Sequence, residues 1–276
     1  MNLNLFFTKT FVVPLRILAS IPTRIIFGNL TGLSNNLSPI IDGMKKKTKI
    51  NSTNSEIKKN GFVKINNSSD ENLVNIISEK YEKLINDKNE YLDRGSQRRL
   101  NDPIKKIPEL IKLVDIFQDE ILDYYQSSFY VEDISVYRNF THESYKWSRE
   151  KYVYSNLWHS DDFKANKLKV FVLLTDNINK DTGATRIISI KNTKKLIRNF
   201  KFKHTSYANK NFDEYVHKNN LVNYFEGNKG DIYVFNPQKC LHAASIPIKS
   251  QYRDLICFEV YQYVKQNSYI RKVDYK

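Results

Sequence analysis

The pattern of apolar and polar positions predicts one short strand followed by two helices in the first half of the chain. Residues 60–65 (NGFVKI) predict the strand, which begins at Gly61. Apolar residues then recur at three- and four-residue spacing, which is typical of helices with one buried face. The first helix, capped by Ser68 or Ser69, has apolar positions at Leu73, Ile76, Ile77, Tyr81 and Leu84. The second, with Pro108 in its first turn, has apolar positions at Leu110, Leu113, Val114, Phe117 and Ile121.

The second half of the chain has a pattern typical of strands. From about residue 130, short runs rich in Val, Ile, Tyr and Phe alternate with turn-like breaks. These runs are FYVEDISVYRNF (129–140), KYVYSNLWHS (151–160), LKVFVLLTD (168–176), ATRIISI (184–190), GDIYVFN (230–236), CLHAASIPI (240–248) and DLICFEVYQYV (254–264). Helices followed by many short strands predict a mainly β fold with flanking helices, specifically a double-stranded β-helix (a jelly roll of the cupin-like kind).

The beginning of the chain is basic and lacks a membrane-spanning pattern. No acidic residue precedes Asp42, and basic residues and prolines interrupt the apolar clusters (Lys9, Pro14, Arg16, Pro22 and Arg24). No run approaches the roughly 18–20 apolar residues that span a bilayer. Two interpretations stay open for residues 1–50. In the first, they form a basic segment that contacts an anionic membrane surface or serves as a targeting tag. In the second, they form an extension that packs on the rest of the protein.

Residues 44–60 (MKKKTKINSTNSEIKKN) are polar and charged, which predicts a solvated linker. We therefore divide the chain into a basic N-terminal segment with its linker, residues 1–56, and one folded domain, residues 57–276. A chain of 276 residues is long enough to bury a substantial core in such a domain.

Composition and charge narrow the function classes. The 18 Tyr and 16 Phe against 8 Gly favour a folded protein. The net charge of +14 raises nucleic acid, anionic membranes and anionic substrates as partners, but residues 1–60 alone contribute +7 of it (seven Lys and two Arg against two acids). Without a zinc-finger, RRM or helix-turn-helix signature, we do not expect nucleic-acid binding. Two cysteines, Cys240 and Cys257, are too few for a disulfide framework, which favours a reducing cytoplasmic compartment.

Candidate chemistry begins at LWHSDD, residues 157–162. His159 and Asp161 are two positions apart at a predicted strand end, so both side chains project to the same side, as two ligands of one metal require. Asp162 then projects to the other side. Three other histidines lie in polar surroundings and are predicted to be surface residues: His142, His204 and His217.

His242 is the best candidate for a third ligand, because it enters the strand that follows the Asn236-Pro237 turn. Two histidines and one carboxylate form a facial triad that leaves three positions open on Fe(II) for a co-substrate and O2. Arg253 opens another strand eleven residues later, close enough to return beside His242. A buried arginine there suits a bidentate carboxylate, and 2-oxoglutarate supplies one at its far end.

Residues 57–264 resemble the phytanoyl-CoA dioxygenase-like proteins, which are iron(II)- and 2-oxoglutarate-dependent oxygenases. The resemblance rests on NGFVKI with its following helix, WHSDD, LKVFVLLTDNINKDTGATRIISIKNTKK, and GDIYVFNPQKCLH with Arg253. The chain departs from the family at 190–192, where Ile-Lys-Asn replaces a small residue, serine and histidine. It departs again at Ala244, where some members carry serine.

The resemblance implies Fe(II) held by His159, Asp161 and His242, 2-oxoglutarate anchored by Arg253, and oxidation of a C–H bond of a small organic or lipid-like substrate, with release of succinate and CO2. Related halogenases lack the carboxylate ligand, so Asp161 favours hydroxylation. Three alternatives remain: a non-catalytic jelly-roll scaffold at a membrane surface, a cupin-type enzyme that does not use 2-oxoglutarate, and ordinary hydrogen-bonded histidines with Arg253 at the surface. Three further basic residues are candidates for an anionic substrate, although charged residues near a rim are more often simply solvated: Arg138, Lys164 and Arg186.

Overall fold

The computed structural model describes residues 40–41, 55–65, 70–141, 156–161, 166–200, 210–248 and 250–263. Its strands are β1 (Ile40–Ile41), β2 (Phe62–Ile65), β3 (Tyr91–Asp93), β4 (Gln97–Leu100), β5 (Phe129–Phe140), β6 (Lys167–Leu173), β7 (Thr185–Ile187), β8 (Asn223–Tyr224), β9 (Ile232–Phe235), β10 (His242–Ala244) and β11 (Tyr252–Gln262). Its helices are α1 (Glu56–Asn60), α2 (Glu71–Ile85), α3 (Pro103–Lys106), α4 (Val114–Tyr125), α5 (Ile190–Phe200) and α6 (Lys210–Lys218), with a 3₁₀ helix at Pro108–Leu113.

Two antiparallel sheets form the centre of the domain. The major sheet has the strand order β2-β9-β6-β11-β5-β4-β3, and β1 pairs with β5. The minor sheet has the order β10-β7-β8. We expected β11 to return beside β10, but β10 pairs with β7 and β11 lies between β6 and β5. His242 and Arg253 therefore lie on different sheets.

Alternation along the strands separates two apolar layers. On β6, Leu168, Val170 and Val172 pack with the apolar faces of α2, the 3₁₀ helix and α4. The intervening Phe171 and Leu173 belong to a second cluster, between the sheets, which also contains residues of β7, β9 and β11. The face of the major sheet opposite the helices is therefore the one that lines the interior of the fold.

The two predicted helices form, with altered ends. Asp70 rather than Ser68 or Ser69 caps α2, because its carboxylate accepts the Leu73 backbone N–H at 3.2 Å. The segment that starts at Pro108 makes one 3₁₀ stretch before the regular helix α4. The predicted apolar positions of both segments face the core, apart from Ile76.

The linker prediction is wrong for its last five residues. Glu56–Asn60 form α1, whose Ile57 is fully buried. Gly61 ends this helix in the left-handed conformation (φ 90°), and its backbone lies against Cys240 and Ile190. Glycine is required there because a Cβ would contact the Cys240 sulfur, so α1 and β2 pack directly on the domain.

A third apolar cluster covers the outer face of the minor sheet. α5 and α6 contribute Leu196, Phe212 and Val216, which pack with Trp158 and Ala243. α5 occupies the Ile190-Lys191-Asn192 position where the sequence departs from the family pattern. The minor sheet is thus held between this cluster and the interior cluster.

Several predictions fall outside the described residues. These concern residues 1–39 and 42–54, Ser68, Ser69, His142, the run 151–155, Asp162, Lys164 and His204. Among the helices that the structure describes, none has the length and apolar character needed to cross a membrane.

Candidate metal centre

His159 and His242 are held side by side by their own backbones. The His159 N–H donates to the His242 carbonyl at 3.0 Å, and the His242 N–H donates to the His159 carbonyl at 2.9 Å. Directly paired residues of antiparallel segments project to the same face. The imidazole centroids are accordingly 4.2 Å apart. The segment that precedes Asp161 thereby extends the minor sheet beside β10.

Asp161 completes a cluster with the two histidines. Its backbone N–H donates to the Pro237 carbonyl at 2.9 Å, which fixes the residue beside the turn before β10. Its Oδ1 lies 3.9 Å from Nε2 of His159 and 3.6 Å from Nε2 of His242. One ligand atom from each of the three side chains lies within 4.8 Å of the others.

The backbone fixes the tautomer of both imidazoles. His159 Nδ1 lies 2.7 Å from the Leu157 carbonyl, and His242 Nδ1 lies 3.1 Å from the Cys240 carbonyl. A carbonyl oxygen only accepts, so Nδ1 carries the hydrogen in both rings. Each Nε2 is therefore an acceptor without a hydrogen, and it lies within 4 Å of Asp161 Oδ1, which is itself an acceptor.

The environment keeps all three groups in their metal-binding forms. Burial lowers the pKa of His159 and, more strongly, that of His242, so both rings are neutral. Burial by itself raises the pKa of Asp161, but the positive charge of Lys169 and neighbouring groups outweighs it and holds this pKa below its ordinary value. The result is a carboxylate facing two neutral imidazoles.

This arrangement fits a divalent cation. Three acceptor lone pairs converge with no proton between them, and a cation at their centre removes the repulsion. Ligands bound at about 2.1 Å lie roughly 3.0–3.4 Å from one another, so the 3.6 and 3.9 Å separations must close by roughly 0.2–0.9 Å on binding. Imidazole nitrogen with one carboxylate oxygen is a donor set for Fe(II).

Arg253 faces the interior from the opposite sheet. It is 3% exposed and donates through Nη1 to Oγ1 of Thr185 at 2.7 Å. Thr185 is opposite Ala244 in the minor sheet, two residues beyond His242 and on the same face. Arg253 therefore reaches the face that carries His242, although it comes from β11. The idea that Arg253 is a surface charge is wrong.

Asn139 adds a polar group beside this arginine. It is directly opposite Arg253 in the β5–β11 ladder and is 1% exposed. Its Oδ1 accepts from Gln97 at 3.0 Å, whereas its Nδ2 has no hydrogen-bond partner among the described residues. A buried amide donor without a partner costs free energy, so a ligand oxygen at this end of the interior would satisfy it.

A network behind the histidines was not predicted from the sequence. Arg186 stacks over Trp158 at 4.9 Å and donates to Asp213 at 3.1 Å, to the Asn156 carbonyl at 2.9 Å and to the Ala244 carbonyl at 3.3 Å. Trp158 Nε1 donates to the same Asp213 oxygen at 2.8 Å. Arg186 thus joins the segments that carry both histidines, and it is not positioned as an anion ligand.

Two lysines beside Asp161 were also missed. Lys167 and Lys169 of β6 place Nζ 3.0 and 2.9 Å from Asp161 Oδ2, the oxygen that faces away from the histidines. Burial alone would lower the pKa of Lys169, but Asp161 outweighs this and raises it, so the group is charged. The available signal was the spacing: two lysines alternate at the start of an otherwise apolar strand.

A charged row continues from these lysines across the major sheet. Lys169, Glu259 and Asp133 are register neighbours on β6, β11 and β5. Lys167 pairs with Glu259 at 3.2 Å, and Arg99 pairs with Asp133 at 3.1 Å. Side-chain exposure rises along the row from 2% at Lys167 to 27%, 34% and 37% at Glu259, Asp133 and Arg99, so the row leads from the candidate metal centre to solvent.

The other candidates of the sequence lie away from the cluster. Arg138 is buried in a bidentate pair with Asp254, with a further contact to Glu82, so it has a structural rather than a rim environment. His217 is exposed, as predicted. Cys240 is fully buried in the apolar cluster between the sheets.

The fold is similar to that of several solved enzymes. The non-heme α-ketoglutarate-dependent carbocyclase SnoK from nogalamycin biosynthesis has a TM-score of 0.54 at 15% identity, over 75% of this chain and 81% of that one. HygX from Streptomyces hygroscopicus, with nickel and 2-oxoglutarate bound, has 0.51 at 16%, over 75% and 85%. EctD from S. alaskensis, with 2-oxoglutarate and 5-hydroxyectoine, has 0.55 at 11%, over 83% and 86%.

At these identities the similarity establishes the fold, and it confirms the predicted jelly roll with flanking helices. No family model and no curated protein matches the sequence.

Proposed function

We propose that this protein is an Fe(II)- and 2-oxoglutarate-dependent oxygenase that oxidises a small molecule. The observation that carries the proposal is the convergence of His159 Nε2, His242 Nε2 and Asp161 Oδ1, three acceptors with no proton between them. Structures of similar fold contain a metal and this co-substrate: HygX with nickel and 2-oxoglutarate bound, and HygX with nickel, 2-oxoglutarate and hygromycin B bound.

The two sheets divide the binding tasks. The minor-sheet side supplies the three metal ligands, and the major sheet supplies Arg253, whose guanidinium takes the far carboxylate of 2-oxoglutarate together with Thr185. The unpartnered amide of Asn139 supports a carboxylate at this end. Arginine suits the role because its fork of donors matches both carboxylate oxygens.

When bound, Fe(II) and 2-oxoglutarate supply O2 activation and the oxidant, with release of succinate and CO2. The chain contributes geometry and exclusion of water. The carbonyls of Leu157 and Cys240 orient the two imidazoles. Phe235 packs edge-on against His242 at 5.4 Å, and the apolar cluster between the sheets excludes water from that side of the site.

Hydroxylation and membership of the phytanoyl-CoA dioxygenase-like family are the finer parts of the proposal. The retained carboxylate Asp161 supports hydroxylation over halogenation. The fold alone does not choose the outcome, because similar structures include a carbocyclase and an epimerase. The family assignment rests on the sequence motifs that contain the three ligands and Arg253.

We further propose that the substrate is a small hydrophilic molecule rather than a lipid. The charged row of Lys167, Lys169, Glu259, Asp133 and Arg99 extends from the candidate metal centre to partly exposed side chains, and we propose that the substrate approaches along it. An acyl chain on this route would desolvate those charges without replacing their hydrogen bonds, which is costly. A substrate with hydroxyl, amino or acidic groups replaces them.

The test is turnover of 2-oxoglutarate to succinate by anaerobically purified protein, after addition of Fe(II) and air. We expect measurable uncoupled turnover, and none above background in the Asp161→Ala variant. Arg253→Met should raise the KM for 2-oxoglutarate by roughly 10–100-fold, because a charge-assisted bidentate contact is lost. Lys64→Met, which removes a surface lysine of β2, is the matched control and should behave as wild type.

Two results would contradict the proposal. Wild-type protein that binds neither Fe(II) nor 2-oxoglutarate favours a non-catalytic jelly-roll protein. Protein that binds Fe(II) but is indifferent to 2-oxoglutarate and to Arg253→Met favours a cupin-type enzyme.

Location and peripheral contacts are separate proposals. We propose that residues 1–50 contact an anionic membrane surface and that the protein is cytoplasmic, on the basic charge and the two cysteines alone. Co-sedimentation with anionic liposomes, compared between the full chain and a chain lacking residues 1–50, tests the first point. Equal sedimentation of both chains would contradict it.

A further inference from the structure

The two carboxylate oxygens of Asp161 contact different groups. Its Oδ1 is directed at the histidines, and its Oδ2 lies within 3.0 Å of the ammonium groups of Lys167 and Lys169. Lys167 is buried and Lys169 is partly buried, and both project to the same interior face of β6 as Phe171 and Leu173. One carboxylate is therefore shared between two ammonium groups and the position proposed for the metal.

The charge balance of this group is positive once a divalent cation is present. Asp161 contributes −1, the neutral histidines contribute nothing, and Lys167 and Lys169 contribute +2. Glu259 compensates Lys167 through a contact of 3.2 Å. Among the described residues Lys169 makes its ion pair with Asp161, whereas Glu259, opposite it in the ladder, pairs with Lys167, so a cation on Asp161 takes a share of the one carboxylate that contacts Lys169. Positive charges at short range in a buried site favour binding of an anion.

The geometry indicates where that anion binds. Lys169 and the cation would hold opposite oxygens of one carboxylate, so they are separated by the span of a carboxylate group. A second carboxylate can bridge the same two charges. The side chain of Lys169 is 17% exposed, against 2% for Lys167, so Lys169 is the lysine with an open side.

We propose that Lys169 is an anion-binding residue of the metal centre, which takes a ligand carboxylate that also contacts the metal. This inference rests on the proposed function and goes beyond it, because the triad and Arg253 account for the metal and for the far carboxylate only. The carboxylate has two sources: the oxo-acid end of 2-oxoglutarate, or an acidic group of the substrate.

Calorimetry on the full chain tests the proposal without turnover. Ni(II) is titrated first, then N-oxalylglycine into the Ni(II) protein, and finally acetate into the Ni(II)–N-oxalylglycine protein. The variants are Lys169→Met, which keeps length and removes charge, Lys169→Arg, which keeps charge, and Lys64→Met as the surface control. Circular dichroism and thermal unfolding of the Ni(II) forms show whether each variant is folded.

We expect Lys169→Met to bind Ni(II) at least as tightly as wild type, because a positive charge near the cation is removed. Its affinity for N-oxalylglycine should fall roughly 10–100-fold if the carboxylate is that of the oxo acid. An unchanged N-oxalylglycine affinity with lost acetate binding assigns the carboxylate to the substrate. Lys169→Arg should stay within several-fold of wild type in whichever step Lys169→Met affects, and Lys64→Met should match wild type throughout.

The outcomes separate the two levels of the proposal. Wild-type protein that binds no Ni(II) and no N-oxalylglycine overturns the proposed function, and this inference with it. Wild-type protein that binds both, with Lys169→Met equal to it in the N-oxalylglycine and acetate steps, overturns the inference alone. Weaker Ni(II) binding by Lys169→Met, with both anion affinities unchanged, also overturns it, because Lys169 then only orients Asp161.

Discussion

Replacement of Arg186 by methionine tests whether the metal ligands are positioned from behind. Arg186 holds the Asn156 carbonyl at 2.9 Å and the Ala244 carbonyl at 3.3 Å, which belong to the segments of His159 and His242. It also pairs with Asp213 at 3.1 Å and stacks over Trp158. Methionine retains the apolar stem and removes every one of these polar contacts.

The magnitude follows from the contacts that are lost. A hydrogen bond to a charged partner contributes about 1.5–3 kcal/mol, and a cation–π contact about 0.5–2 kcal/mol. Because these terms are not additive, we expect Arg186→Met to lower the free energy of unfolding by about 2–4 kcal/mol. Since the lost contacts orient metal ligands, Ni(II) affinity should fall roughly 10–100-fold.

Urea unfolding followed by circular dichroism and Ni(II) calorimetry measure the two effects. Asp213→Asn keeps the side-chain shape and removes the charge, so a double-mutant cycle of the two substitutions isolates the Arg186–Asp213 term. Lys80→Met, at a surface ion pair of α2, is the control for loss of one positive charge. A free energy of unfolding within about 0.5 kcal/mol of wild type would refute the positioning role. If anion binding were also lost in that variant while Ni(II) affinity stayed unchanged, Arg186 would instead be an anion ligand.

Three further predictions concern the fold. Burial raises the pKa of the Cys240 and Cys257 thiols to about 12, so at pH 8 only about one molecule in ten thousand carries a given thiolate. A thiol reagent should therefore modify neither cysteine until urea unfolds the chain. Rapid labelling of the native protein would contradict their burial. Gly61→Ala should lower the free energy of unfolding by about 1–3 kcal/mol, because φ is 90° and the new Cβ meets the Cys240 sulfur. Gly95→Ala, at φ 81° with open space around it, is the control and should lower the free energy of unfolding by less. Asp70→Ala removes the cap of α2 and should lower it by about 1 kcal/mol in urea titrations, whereas Asp70→Asn should retain most of the cap; equal losses in the two variants would contradict capping.

Runs rich in Val, Ile, Tyr and Phe predicted the longer strands, whereas β3, β4 and β8, which lie in none of these runs, were missed. The run 129–140 forms β5 with the same bounds, Phe129–Phe140. The cap of α2 was placed one or two residues too early, since serine and aspartate both cap helices and the sequence does not choose between neighbours. Glu56–Asn60 was read as linker because a single buried Ile57 among charged residues gives no periodic signal.

Pairing between distant segments was harder to predict. His159 and Asp161 share a side because strand geometry is local, whereas the partner of β10 depends on the whole topology. We expected β11 beside β10, and the structure places them in different sheets. Arg253 still reaches the interior, because the two sheets face each other across the apolar cluster that contains Leu255.

The charged neighbours of the site illustrate a second limit. Arg186 and Asp213 are 27 residues apart in the chain, and their pairing appears only once α6 packs on the outer face of the minor sheet. Lys167 and Lys169 had a visible alternation, but at a strand end such lysines usually cover a solvated edge. Only the position of Asp161 identifies them as part of the site.

The most direct test of the central claim is an anaerobic titration of Fe(II) and 2-oxoglutarate followed by visible absorption. Chelation of the 2-oxo acid by protein-bound Fe(II) gives a charge-transfer band. We predict a band that saturates at about one Fe(II) per chain, that is lost in Asp161→Ala, and that is retained in Asp119→Ala, where the carboxylate is exposed on α4. No band in the wild-type protein, or an equal band in Asp161→Ala, would contradict the account.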